Sequence, residues 1–204
     1  FFQDDHYEMV ASHQWTRHLA VKEYNDYWLF TLKNNDQLSV KINKKNLAAS
    51  FYQQGKVVLS EISATQWHAN TISTGFIYDD REHFTGLGHG YLGRAQSLDL
   101  KGQIIARNYG DHHSEQAPLI VPFYLSSKGY GVFLNSTFTN RFNFGKAGEY
   151  SFEIDDAGFS GRMDYFFIAG PKLTTVLDNY TQLTGRPRLP KKAMFGLQLS
   201  DKGH

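Results

Sequence analysis

The chain contains no cysteine, which excludes disulfides, thiolate nucleophiles and most structural zinc sites together. Both cytosolic and secreted locations stay open on that count. Net charge is nearly absent as well. Lys and Arg number 21 against 20 Asp and Glu, a formal charge of +1, so the chain offers no field that would gather nucleic acid or an anionic membrane. The expected partners are neutral. No apolar run is long enough to span a bilayer, and the stretch from Phe1 lacks the basic, apolar and small-residue succession of a signal peptide. An initiator methionine is also missing, which suits a chain whose leader has been removed and sets secretion or a periplasmic location as an expectation.

Aromatic residues and glycine are plentiful. Aromatics make up 15% of the 204 residues, with 12 Tyr and 16 Phe, and 18 glycines punctuate the chain. This favours a sheet-rich domain, because aromatic side chains pack well on pleated surfaces and glycine serves tight turns and bulges. The length suits one large β-domain. Tyr27–Leu32 (YWLFTL) and Gln37–Ile42 (QLSVKI) read as a hairpin around Asn34-Asn35-Asp36, and Lys56–Ile62 and Thr71–Tyr78 continue the strand pattern on either side of a polar stretch holding Trp67 and His68. Val121–Ser136 is a second hairpin, turning at Ser126-Ser127-Lys128-Gly129. Thr137–Phe144, Glu149–Ile154 and Met163–Ala169 bring the expected total to about ten to twelve strands before any helix.

Three segments invite a chemical reading. Glu82–Arg94 (EHFTGLGHGYLGR) carries four glycines, but their spacing matches neither the dinucleotide fingerprint nor the P-loop and no apolar helix follows, so a sharp bend or a close backbone approach is expected instead of a phosphate cradle. Ile104–Ile120 (IIARNYGDHHSEQAPLI) has no periodicity and reads as a long surface loop. Its His112-His113-Ser114-Glu115 cluster has ligand chemistry, yet adjacent histidines on an extended chain point to opposite sides, so no metal and no cofactor is expected. Lys172–Thr184 is an amphipathic helix with Leu173, Val176, Leu177, Tyr180 and Leu183 on one face, Pro171 suited to its start and Gly185 to its end. Ala193–Leu199 (AMFGLQL) then reads as the opening of a buried strand. A strand, helix and strand in this order suit the start of an α/β barrel, so the chain is expected to be an ancillary domain of a larger protein. Residues 1–170 form the domain, 171–192 the helix and linker, and 193–204 the first piece of a barrel that continues past His204.

Three blocks, in order, resemble the N-terminal region of glycoside hydrolase family 31, the α-glucosidases, α-xylosidases and related enzymes. Phe84-Thr85-Gly86-Leu87-Gly88-His89 resembles the family's F-x-G-L-G-E signature. Pro122-Phe123-Tyr124-Leu125-Ser126 with Gly129-Tyr130-Gly131-Val132-Phe133-Leu134-Asn135 is similar to its P-F-Y-x-S-x-x-G-Y-G-x-F-x-D/N pattern. The third and most specific runs from Tyr165-Phe166-Phe167-Ile168-Ala169-Gly170-Pro171 through Tyr180–Pro190 to Phe195-Gly196-Leu197-Gln198.

The resemblance implies an all-β fold, a β-sandwich of the galactose mutarotase-like type with one C-terminal helix, placed before a (β/α)8 catalytic barrel. Retaining hydrolysis in that family uses two carboxyl groups on later barrel strands, about 5–5.5 Å apart, so no catalytic residue is expected in this chain, Asp201 included. The resemblance also implies a sandwich loop over the barrel mouth. Asp111 falls about where a substrate-binding carboxylate of that loop would stand, and such a group can accept charge-assisted hydrogen bonds from sugar hydroxyls. The alternative for Asp111 is a residue that caps its own loop. The implied partners are an α-linked oligosaccharide or glucan and the domain's own barrel. His89, where an acid is usual, and Ser200-Asp201-Lys202-Gly203-His204, where a more aromatic, Arg-containing segment is common, leave the sugar open. Two other classes of function stand beside this one: a freestanding carbohydrate-binding module stacking sugars on Trp15, Trp28 and Trp67, and a mutarotase-like enzyme using His and Glu on the sandwich face.

Overall fold

A computed structural model of the chain describes residues 9–10, 19–32, 35–88, 99–107, 121–146, 148–155, 162–186 and 188–191. Their strands are β1 (Leu19–Glu23), β2 (Tyr27–Leu32), β3 (Asn35–Asn43), β4 (Ala49–Gln53), β5 (Lys56–Glu61), β6 (Gln66–His68), β7 (Thr71–Ile77), β8 (Phe84–Gly86), β9 (Ile104–Arg107), β10 (Phe123–Ser126), β11 (Tyr130–Leu134), β12 (Asn140–Lys146), β13 (Glu149–Asp155) and β14 (Tyr165–Ala169), followed by the helix α1 (Leu173–Thr184). They form two antiparallel sheets. The larger has the order β1-β2-β3-β4-β5-β7-β13-β12-β9, with β6 also on β7, and the smaller has the order β14-β11-β10-β8.

Alternation of side chains explains the layering. On β7, Ile72, Thr74 and Phe76 are buried while the residues between them reach the outer face. On β11 every residue is buried, because both faces are covered. Tyr130, Val132 and Leu134 join the core against the large sheet, which also holds Phe51, Leu59, Phe76, Phe84, Tyr124, Phe142, Phe144, Tyr150 and Phe152. Phe133 turns the other way, with Phe123, Ile168 and Val176, into a second core under α1. Edge-to-face and stacked ring pairs at 4.5–6.4 Å run through the first core, as for Phe51 on Phe167 and Phe84 on Tyr150.

The expected hairpins and the helix are present, and the all-β sandwich with one C-terminal helix is the observed fold. Two expectations need correction. The stretch read as a loop begins with a strand, β9, whose Ile105 packs on the core opposite Phe142. The polar stretch around Trp67 contains β6, held by pairing with β7 although all three of its residues are exposed. The helix forms as expected, and the sheet covers part of its five-residue apolar face. Val176 is fully buried and Tyr180 and Leu183 pack beside it, while Leu173 and Leu177 are 40% and 47% exposed. The strand expected at Ala193–Leu199 lies outside the described residues.

Candidate functional site

The three signature blocks meet in one place. Among the described residues of the smaller sheet and its helix, β8 carries most of the first block, β10 and β11 the second, and β14 with α1 the opening part of the third. Their glycines are explained by close approach. A Cβ on Gly86, whose φ is +132°, would lie 2.5 Å from the Phe123 carbonyl oxygen on the neighbouring strand. One on Gly131 would meet the Phe123 ring at 2.7 Å and Val176 at 3.0 Å, and one on Gly170 would meet the Val176 nitrogen at 2.9 Å. Gly86, Leu87 and Gly88 all have positive φ, and the bend they make drives Leu87 into the core at 0% exposure. Close approach therefore accounts for Gly86 and the bend for Gly88, while Gly90 and Gly93 lie outside the described residues.

The sequence-predicted site residue, Asp111, lies outside the described residues, as do His89, the His112-His113-Ser114-Glu115 cluster and Trp15. What the structure gives is the frame of the segment 108–120. On one side of it β9 ends at an edge of the larger sheet, and on the other the described chain resumes at Val121, just before β10 inside the smaller sheet. Both stems are anchored, one by Ile105 and the other by Phe123 and Tyr124.

Glu82 is buried and Glu61 is half-buried, and both accept hydrogen bonds from groups remote in the chain. Glu82, with a side chain at 0% exposure, accepts hydrogen bonds from the Tyr130 hydroxyl at 2.6 Å and the Ser126 hydroxyl, and faces Lys128 Nζ at 3.2 Å. The chain of hydroxyls continues from Tyr130 to Tyr150 at 3.3 Å and from Tyr124 to Tyr150 at 2.7 Å. Burial pushes the Tyr124, Tyr130 and Tyr150 hydroxyls well above the ordinary tyrosine range, and the Glu82 carboxylate adds to this at Tyr130. Glu61 accepts the Tyr165 hydroxyl at 2.5 Å and the Ala49 N–H at 2.7 Å. Burial and the Glu61 charge raise Tyr165 in the same direction. Sequence reasoning missed Glu82 and Glu61, since no local spacing marks a carboxylate whose donors are remote in the chain.

An open groove of about 390 Å³ lies on the helix side of the smaller sheet, lined by His83, Thr85, Asp99, Leu125, Ser127 and Leu173 among others. His83 Nδ1 lies 2.6 Å from Asp99 Oδ2, while Asp99 Oδ1 accepts the N–H groups of Phe84 at 3.2 Å and Lys101 at 3.1 Å. Burial opposes ionisation of Asp99, but the bonds from His83, Lys101 and Phe84 outweigh it and hold the carboxyl below the ordinary aspartate range. Asp99 thereby closes the outer side of β8, which is a structural task. Among the described residues no group of three or more His, Cys, Asp or Glu side chains is placed to hold a metal ion.

Trp28 and Trp67 stand on different strands, β2 and β6. Lys44 Nζ lies 5.2 Å above the Trp28 ring and pairs with Glu23 at 2.6 Å. Trp67 is 63% exposed and stands on the short β6.

Comparison with known proteins gives a consistent picture. The family model described as the glycosyl hydrolase 31 N-terminal galactose mutarotase-like domain matches residues 2–143. An isomaltosyltransferase of Sporosarcina globispora is 30% identical over 190 residues, which is 85% of this chain and 17% of that protein. Among solved structures, a Flavobacterium johnsoniae GH31 dextranase complexed with isomaltotriose superposes with a TM-score of 0.75 at 26% identity, over 89% of this chain and 22% of that one. The cycloalternan-forming enzyme from Listeria monocytogenes, in complex with a pentasaccharide substrate, gives 0.74 at 25% identity, over 85% of this chain and 18% of that one. The chain thus spans about a fifth of the length of the proteins it matches.

Proposed function

Because this chain belongs to the glycosyl hydrolase 31 N-terminal galactose mutarotase-like domain family, we propose that it is the non-catalytic β-sandwich of a retaining α-glycosidase. Its tasks are to brace a (β/α)8 barrel and to present the segment 108–120, with Asp111, to the substrate. The substrate class that fits the relatives is an α-linked glucose oligosaccharide of the isomalto type, since an isomaltosyltransferase and a dextranase complexed with isomaltotriose are among them.

The observation that carries the reading is the state of Glu82, which is buried, and of Glu61, which is half-buried. Retaining hydrolysis needs a free pair about 5–5.5 Å apart across the bond to be cleaved. Glu61 and Glu82 instead accept tyrosine hydroxyls and, for Glu82, face a lysine, within or beside the core. Groups held in this way stabilise a scaffold. In this reading the catalytic pair is carried by the barrel and not by Glu61 and Glu82.

Two measurements test the proposal. The 204-residue chain alone should leave p-nitrophenyl α-glucoside and isomaltotriose intact, and turnover by the purified chain would refute the scaffold role. In the full reading frame, Asp111→Ala should raise KM for isomaltotriose with little change in thermal stability. Unchanged kinetics would remove Asp111 from the substrate site.

A further inference from the structure

Alternation along β8 and β10 sorts their side chains between two environments. Phe84 and Ser126 turn into the core at 1% and 0% exposure, so His83, Thr85, Leu125 and Ser127 stand together on the opposite face. His83 and Ser127 are held side by side, since the Ser127 N–H donates to the His83 carbonyl at 2.9 Å and the His83 N–H to Ser127 Oγ at 3.0 Å. The helix leaves this face open. It is seated over the neighbouring part of the sheet, with Val176 against Gly131 and Tyr180 stacked on Phe123 at 3.9 Å, and Leu173 of its first turn forms one wall. What remains is the groove of about 390 Å³, at the lower end of small-molecule sites, which run from about 300 to 1,000 Å³.

The imidazole in this groove has a fixed orientation. Ionised Asp99 can only accept, so the hydrogen in its 2.6 Å contact with His83 belongs to Nδ1, and Nε2 of the neutral ring is left as an acceptor on the far side of a side chain that is 61% exposed. Ser127 Oγ accepts a main-chain N–H and keeps its own hydrogen to donate. Charge then selects the ligand. Asp99 is the one fixed charge among the described lining residues, and its oxygens accept from His83, Phe84 and Lys101, while Lys101 Nζ turns to the Asp80 carbonyl and Lys128 Nζ to Glu82. An anion would face the Asp99 carboxylate with both ammonium groups engaged elsewhere, and a cation would find that carboxylate occupied. A neutral ligand fits. Leu125, Leu173 and the Thr85 methyl offer an apolar floor to C–H groups, and the His83 and Ser127 side chains offer an acceptor and a donor to hydroxyls at the rim. We propose that this groove is a binding site for a pyranose, as a free monosaccharide or as the terminal unit of an oligosaccharide, separate from the segment 108–120. The site belongs to the sandwich itself and does not depend on the scaffold reading above.

Titration of the 204-residue chain with D-glucose and with isomaltotriose, followed by methyl and imidazole NMR, tests the assignment. Both sugars should shift the Thr85, Leu125 and Leu173 methyl signals and the His83 ring protons, saturably and with a Kd of about 1–20 mM, while Val21 and Ile104 stay unmoved. Equal affinities would assign the groove to a single sugar unit, and tighter binding of isomaltotriose to a chain end; either supports the site. His83→Ala should weaken binding about two- to tenfold, the worth of one neutral hydrogen bond, and His83→Gln should restore part of it. Leu173→Ala, at a position 40% exposed, should also weaken binding and leave the unfolding midpoint unchanged. No shifts up to about 50 mM of either sugar, shifts spread evenly over the surface, or unchanged affinity in both alanine variants would overturn the proposal. Recovery of intact isomaltotriose after the titration bears on the scaffold reading alone.

Discussion

Glu82 shows how one side chain can tie together parts of the chain that are remote in sequence. Its carboxylate meets Ser126 and Tyr130, which are 44 and 48 residues away, and faces Lys128 in the turn between them. Removing the carboxylate leaves two buried hydroxyls and a half-buried ammonium without their partner. Breaking a buried charge pair in this way costs about 3–5 kcal/mol, while losing one hydrogen bond to a charged group costs about 1.5–3. Urea unfolding should therefore place Glu82→Ala in the first range and Tyr130→Phe in the second. A loss below about 1 kcal/mol for Glu82→Ala would mean that water replaces the carboxylate and that the network is not a stabilising one.

At the level of elements, the smaller sheet and its helix depend on the absence of a side chain. Gly131 is the point where β11, the Phe123 ring and Val176 of α1 come together. Gly131→Ala should force the ring and the helix apart at a cost of about 1–3 kcal/mol, and hydrogen exchange should quicken across α1 more than across β7 and β13. Uniform protection with unchanged stability would show that the helix does not dock through this contact. The same comparison shows what the sequence made legible. The β2–β3 and β10–β11 hairpins could be read because their apolar runs are interrupted by turn residues, and α1 because proline and glycine bracket its stripe. β1, β4, β6, β8 and β9 escaped notice. They are three to five residues long and owe their state to a neighbour, as Gln66–His68 does to β7, so no local period announces them. The helix stripe was legible as an apolar arc, but amphipathicity does not say how much of that arc the sheet covers. Glu82, His83 and Asp99 could not be found as a set, because their partners are brought together only by folding. Asp111 could be singled out solely by resemblance.

For the whole molecule, the interior tyrosines set a limit at high pH. Tyr124, Tyr130, Tyr150 and Tyr165 have folded-state values above the unfolded value of about 10, so what they contribute is fully present below that pH and is lost as pH rises beyond it. Each adds a slope of about 1.4 kcal/mol per pH unit in that window, and together they should produce a cooperative alkaline unfolding. Phenolate absorbance should show these four of the 12 tyrosines ionising only in that transition. Smooth ionisation of all 12 in a folded protein would contradict the buried network. The order of the strands has a consequence for synthesis. The rings that cover the larger sheet come from β10, β11 and β14, and the Tyr165–Glu61 bond closes a span of 104 residues. A ribosome therefore releases most of the larger sheet before its cover has been translated. Until β10 and β11 emerge, β1–β7 are a greasy layer without its lid, and the lid is completed only with β14.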